Sequence, residues 1–128
     1  MAINYKTIKK GTPGVKGGGA QKFYASPIVQ GERDLEQITK GVEKISTVSG
    51  ADIRAVLYAV VDVITEDLAN GLIVRIGDLG SLRLSLSSEG YDTEKEVNAN
   101  AIKNTKILFT PGTKLKTMQQ TLKFEKHS

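Results

Sequence analysis

The segment from Ser49 to Asn70 constrains the fold most, because it predicts a long helix that is apolar on more than one side. Ser49-Gly50-Ala51-Asp52 has the spacing of a capping box, with Asp where Glu is more common. The apolar positions form a stripe with a second set beside it: Ile53, Val56, Leu57, Val60, Val61, Ile64 and Leu68, widened by Ala55, Ala59 and Val63. Such a helix needs packing partners on several sides. Because the chain offers few other helices, we expect a second subunit to cover part of it, most simply in a two-fold homodimer.

Composition limits the classes of protein to consider. A chain of 128 residues with 39% hydrophobic content fits one soluble domain with a short appendage. The absence of cysteine excludes disulfides, thiolate metal sites and a cysteine nucleophile, and it fits the reducing cytoplasm. Charged residues interrupt every long apolar run, and the first residues lack the apolar core of a signal peptide. We therefore expect a cytoplasmic protein with no membrane partner.

The net charge of +4 is concentrated at the two ends of the chain. Residues 1–22 contain five lysines and no acid, and residues 103–128 contain six lysines and one glutamate. Residues 23–102 hold seven basic and thirteen acidic residues. Basic ends of this kind either bind phosphates or keep a small protein soluble, and charge alone leaves both interpretations open.

Residues 1–46 predict several short elements. A short alternating segment at Ile3, Tyr5 and Ile8 precedes a glycine-rich stretch at 11–19, which we interpret as a flexible loop. No Gly-Lys-Ser/Thr sequence closes that stretch, so a nucleotide-binding loop is not expected. A strand over 22–29 then leads to a helix capped by Asp34 and running to Ile45.

The second half of the chain predicts strands around a long polar connection. Asn70-Gly71 ends the long helix, a strand follows over 72–76, and residues 81–87 alternate with leucines on one face. Residues 88–105 are polar; as a hairpin of about nine residues a side at ~3.3 Å each, they would reach ~30 Å. The other interpretation is a mobile loop. A strand over 106–110, the turn Pro111-Gly112 and a short helix complete the chain.

From Val48 to Leu122, this order of elements resembles the HU/IHF family of bacterial histone-like proteins. The most specific part is the segment 109–116, Phe-Thr-Pro-Gly-Thr-Lys-Leu-Lys, which is similar to the family's Phe-x-Pro-Gly-x-x-Leu-Lys motif. Residues 78–82 stand where the family has Gly-Phe-Gly-x-Phe. Residues 1–46 are similar to the N-terminal part of a longer HU-related group.

The resemblance implies an α+β fold: an intertwined dimer with helices packed on a small antiparallel sheet and a protruding β-arm. It implies an N-terminal extension over 1–46 and an HU-like DNA-binding domain over 47–128, with the arm at about 88–105. The implied function is that of a nucleoid-associated or architectural protein that binds and condenses double-stranded DNA. Sequence-tolerant binding would use phosphate contacts and duplex shape. No cofactor, metal or small-molecule substrate is expected. The candidate DNA-binding residues are Lys9, Lys10, Lys16, Arg75, Arg83, Lys95, Lys103, Lys106, Lys114 and Lys116.

Two departures from the family bear on that function. No proline occurs between residues 28 and 110, so the arm lacks the proline wedge with which many minor-groove binders kink DNA. The arm is also more acidic than basic. It would therefore neutralise fewer phosphates and release fewer counterions, so we expect weaker DNA binding than with a basic arm. The alternative is therefore a structural or assembly protein that keeps the dimer fold, has lost most DNA affinity and uses its arm to contact proteins.

An enzymatic function is not expected, and no catalytic residue is proposed. His127 is the only histidine and lies next to the end of the sequence, where we expect a frayed backbone. Asp62, Glu66 and Asp67 share one helical patch, but a solvated acidic face explains them without catalysis.

Overall fold

The computed structural model describes residues 2–12, 14 and 16–127, so Pro13 and Val15 of the predicted flexible loop lie outside the described residues. The chain divides into two compact units, one of residues 1–32 with 118–128 and one of residues 33–117. Helix α1 (Leu35–Ile45) belongs to the larger unit, although the sequence places it in the N-terminal extension. The functional boundary at residue 46 stays a prediction.

The smaller unit contains a three-stranded sheet of order β2-β1-β6. Strand β1 (Ile3–Lys10) lies in the centre, antiparallel to β2 (Lys22–Pro27) and parallel to β6 (Phe124–Lys126). The expectation of a frayed backbone at His127 is wrong, because its N–H donates to the Tyr5 carbonyl at 2.8 Å. Pairing with β1 therefore fixes the C-terminal segment.

The predicted helices α1 and α2 of the larger unit are confirmed, and local hydrogen bonds explain where they begin. Helix α1 starts after Asp34, whose carboxylate accepts the Gln37 N–H at 2.9 Å while the Gln37 side chain accepts the Asp34 N–H at 3.0 Å. Helix α2 (Gly50–Ala69) starts after Ser49, whose hydroxyl accepts the Asp52 N–H at 3.3 Å. These side chains satisfy N–H groups that have no partner within the helix.

The hydrogen bonds at the end of α2 explain why the next strand begins later in the chain than predicted. Gly71 has φ +79°, and the N–H groups of Gly71 and Leu72 donate to the carbonyls of Leu68 (3.0 Å) and Asp67 (3.1 Å), which is the Schellman arrangement. Since Leu72 completes the helix end, β3 covers only Val74–Ile76 and not the predicted 72–76.

The larger unit contains an antiparallel sheet of order β3-β4-β5, and this mixed architecture confirms the α+β class. Strand β4 (Gly80–Ser88) lies between β3 and β5 (Ile102–Pro111), and helix α3 (Thr113–Gln120) follows directly. The most buried side chains include Thr39 of α1 together with Ile53 and Leu68 of α2. The predicted half-buried leucine face of β4 is half-buried only at Leu82, since Leu84 and Leu86 are exposed.

The hairpin predicted over 88–105 does not form along its length. Pairing of β4 with β5 ends at Ser88 and Ile102, and residues 89–101 contain two 3₁₀ turns instead of strands. Local bonds replace the ladder there: the Thr93 hydroxyl donates to the Glu96 carboxylate and the Asn98 side chain accepts the Asn100 N–H, both at 2.9 Å. Side chains of these types compete with strand pairing in this way.

Within the described part of the chain, no helix has the length and apolar character needed to cross a membrane.

Candidate nucleic-acid interface

Strand pairing places three cations of the larger sheet on one face. Arg75 of β3 lies opposite Ser81, and Lys106 of β5 lies opposite Ser85, with Arg83 between these positions on β4. Residues directly opposite each other in a sheet, and alternate residues along a strand, share a face. We call this surface the basic sheet face; it consists of Arg75, Ser81, Arg83, Ser85, Ser87, Asn104, Lys106, Leu108 and Thr110.

The basic sheet face combines exposed positive charge with short polar side chains. The side chains of Arg75, Arg83 and Lys106 are exposed. From strand spacing and rise, the Cα atoms of Arg83 lie about 8 Å from those of Arg75 and Lys106. Among the strand residues described on this face, none is acidic. The arrangement can therefore bind an extended anion with several phosphates.

A hollow of about 370 Å³ lies at the end of this face, beside the start of α3. Arg75 of β3 and Lys116 of α3 both line it, together with hydroxyl-bearing side chains: Ser81, Thr110 and Thr113. The first N–H groups of a helix lack partners within the helix and favour anions. The hollow therefore extends the basic sheet face with further groups able to contact a phosphate.

Two glycines allow the turns around this hollow to approach each other. Gly80 has φ +145°, and a Cβ there would collide with the Thr110 carbonyl oxygen and lie 2.9 Å from the Phe109 ring. A Cβ on Gly112 would collide with the Asp78 carbonyl, while the Gly112 N–H donates to the Leu79 carbonyl at 2.9 Å. The two motifs on which the HU/IHF resemblance rests are thus in direct contact.

Comparison with known proteins decides the family. The sequence profile described as an HU domain fused to a winged helix-turn-helix, an Ig or a glycine-rich motif, HU-HIG, matches residues 1–126. The chain belongs to the HU-HIG family. The resemblance to HU proteins is therefore confirmed, while no curated protein matches the sequence.

The HU-HIG chain also shares its fold with a solved structure. A bacterial protein of suggested DNA-binding function from Bacteroides vulgatus superposes with a TM-score of 0.68 at 13% sequence identity. The match covers 98% of the HU-HIG chain and 48% of the other protein, so the chain spans about half the length of that relative.

The remaining candidates in the larger unit of the HU-HIG chain lie outside the basic sheet face. Lys103 forms an ion pair with Glu89 at 3.2 Å, which offsets its charge locally. Lys95 lies in the 3₁₀ turn Glu94–Glu96, between two glutamates. Lys114 is exposed in the first turn of α3 but does not line the hollow as Lys116 does.

The N-terminal candidates belong to the smaller unit and do not form one patch. Lys9 and Lys10 are consecutive in β1 and therefore point to opposite faces of its sheet. The Lys9 ammonium lies 5.8 Å from the Phe23 ring centroid, and the Lys10 ammonium lies 4.8 Å from that of Tyr24. Lys16 lies in the 3₁₀ turn Lys16–Gly18.

Sequence reasoning missed two lysines that accompany Lys10. Lys6 lies four residues before Lys10 on the same face of β1, and Lys22 of β2 lies directly opposite Lys10. The spacing within β1 could have identified Lys6. Lys22 could be placed only by knowing the register of β1 with β2. Thr110 and Thr113, which line the hollow together with Arg75, were also missed as possible phosphate-contacting groups.

Proposed function

We propose that this HU-HIG chain binds double-stranded DNA without strong sequence preference, as a nucleoid-associated or architectural protein. The observation that carries the proposal is the basic sheet face, where Arg75, Arg83 and Lys106 lie side by side with short polar side chains between them. The end hollow with Lys116 extends the same surface. The proposal is a binding function and not an enzymatic one.

The chemistry of this face favours contacts with phosphates over reading of bases. Each lysine or arginine that neutralises a phosphate releases condensed counterions, and this provides sequence-independent affinity. Serine and threonine hydroxyls and helix N-termini also contact phosphates and fix the position of a protein on the duplex. Binding of this kind depends on the shape and stiffness of the duplex as well as on charge.

We further propose that the DNA-binding form is a two-fold homodimer. Helix α2 leaves Val56 59%, Val60 40% and Val63 57% exposed. The apolar face of the larger sheet is also uncovered at Leu84 and Ile107. An apolar surface of this extent in a small protein is typical of a protein–protein contact. Pairing identical chains would double the number of cations that face the duplex.

A charge reversal tests the proposed DNA contact. Arg83→Glu should weaken binding to a random duplex of about 30 base pairs at least tenfold, because it removes a charge-assisted contact and adds repulsion. Lys40→Glu is the matched control, since it changes the net charge equally at an exposed position of α1. The proposal is contradicted if both variants lose the same affinity, or if neither loses any.

One observation favours the second candidate, an assembly protein with an HU-like fold and little DNA affinity. The connection 89–101 contains four acidic residues and a single lysine, and its Glu89 already neutralises Lys103. Such a segment would repel DNA and could contact a protein. Absence of duplex binding by the wild-type chain at low salt would favour this candidate.

A further inference from the structure

The sheet of the smaller unit exposes aromatic rings beside lysines. Tyr5 of β1, Phe23 of β2 and Phe124 of β6 share one face with Lys9 and Lys126, as the strand registers require. We call this surface the aromatic sheet face. Phe23 is 71% exposed and Phe124 is 65% exposed, while Tyr5 is half-buried. Single exposed apolar residues are common, but three aromatic residues on one small sheet face call for an explanation.

The charge of this unit is positive. It contains seven lysines against Glu32 and Glu125. Lys6, Lys10, Lys22 and Glu125 lie on the opposite face of the sheet, as the strand registers require. Among the described strand residues that lie on the aromatic sheet face, Lys9 and Lys126 are charged and none is acidic. An occupant of this face should therefore be anionic and should also present flat apolar groups.

We propose that the aromatic sheet face binds single-stranded DNA. Unpaired bases can stack on exposed aromatic rings, and lysines beside them can hold the sugar-phosphate backbone. From strand geometry, Tyr5 lies about 8 Å from Phe124 and about 14 Å from Phe23 between Cα atoms, so the rings can contact bases at different positions of one strand. An apolar hollow of about 520 Å³ lined by Ile3, Tyr5, Ala25, Pro27 and Phe124 leaves room for a base.

Duplex DNA fits this face less well than a single strand. The flat surfaces of paired bases are covered by neighbouring bases, so exposed rings such as Phe23 gain no stacking from an intact duplex. On the basic sheet face the pattern is reversed: among its strand residues that the structure describes, there are cations and hydroxyls but no aromatic ring. The two sheets thus differ in the form of DNA that their chemistry favours.

Substitutions at Phe23 distinguish base stacking from ordinary apolar packing. Phe23→Ala should weaken binding to an oligothymidylate of about 15 nucleotides by about 5- to 150-fold, the range expected for one lost stacking contact. Phe23→Leu keeps apolar volume without an aromatic face, so it should not restore affinity. Binding of the same variants to duplex should change less than about twofold, because an intact duplex offers no unstacked base to Phe23 and the proposed duplex contacts include the basic sheet face.

Fluorescence gives a second measurement that does not depend on loss of affinity. The chain contains no tryptophan, so Phe23→Trp introduces a single tryptophan on the aromatic sheet face, and it can be excited selectively over the four tyrosines. Oligothymidylate should bind this variant as tightly as the wild type and quench its fluorescence. Tyr24→Trp places the fluorophore on the opposite face of the same strand, where we expect little quenching.

Several outcomes would overturn the proposal. The first is that Phe23→Ala binds oligothymidylate as tightly as the wild type. The second is that Phe23→Leu binds it with full wild-type affinity. The third is that oligothymidylate quenches the fluorescence of Phe23→Trp and Tyr24→Trp equally. Recovery by leucine would indicate a protein partner. Tighter binding to oligouridylate than to oligothymidylate would overturn the assignment to DNA. Duplex binding is measured in parallel, so failure of the single-stranded DNA proposal can be distinguished from failure of the proposed duplex binding.

Discussion

At the scale of residues, two glycines allow the turns around the hollow at the end of the basic sheet face to approach each other. Gly80 adopts φ +145° where β4 begins, and its missing Cβ leaves room for the Thr110 carbonyl. Gly112 provides similar room beside Asp78. These contacts bring Arg75 and Lys116 to the same hollow. The glycines therefore act on function through backbone geometry and not through any chemical group of their own.

Gly80→Ala should lower the free energy of unfolding by about 2 kcal/mol or more, because the substitution adds backbone strain and a collision. Urea unfolding followed by circular dichroism measures the change. Gly90→Ala is the control: Gly90 does not have positive φ, and an added Cβ there meets no atom within 4 Å. Equal stability of the two variants would contradict the structural role assigned to Gly80.

At the scale of elements, local signals predicted helices α1 and α2 well but did not predict strand β6 or its pairing with β1. Asp34, Ser49 and Gly71 act within a few residues of the helix ends that they fix, so the sequence pattern identifies those ends. Strand β6 pairs with β1 across almost the entire chain, and no local pattern indicates that contact. The predicted hairpin pairing does not form over 89–101, where short-range side-chain bonds are made instead of a ladder.

Helix α2 provides the element-scale prediction on assembly. Val60→Asp should convert the expected dimer into monomer or unfolded chain, because a partner subunit would bury the carboxylate at a cost of several kcal/mol. Sedimentation velocity at micromolar concentration measures the change. Val29→Asp makes the same substitution at a residue that is 81% exposed, and it should leave assembly unchanged. A folded wild-type monomer at that concentration would contradict the dimer.

At the scale of the whole molecule, both units carry basic surface, but in different settings. Strand β1 (Ile3–Lys10) is the central strand of the smaller unit's sheet, so a deletion of these residues would remove that strand as well as its positive charge. The sequence predicted the basic character of this end, since composition suffices for that. That Lys22 shares a face with Lys6 and Lys10 depended on the register of β1 with β2, which only the structure provides.

Replacing Lys6, Lys10 and Lys22 together by glutamine tests whether the smaller unit contributes to duplex binding. If these lysines contact phosphates in both subunits, the magnitude of the log–log salt slope should fall by up to about 5. Circular dichroism should show an intact fold, because all three positions are on the sheet surface. An unchanged slope would mean that these lysines only keep the protein soluble.

The most direct test of the central claim is the salt dependence of wild-type binding to a random duplex of about 30 base pairs. If Arg75, Arg83 and Lys106 of two subunits each neutralise a phosphate, the slope of log K against log salt concentration should be about −5 or steeper. Affinity should vary little among duplex sequences. A slope near zero, or no binding at about 50 mM salt, would contradict the account.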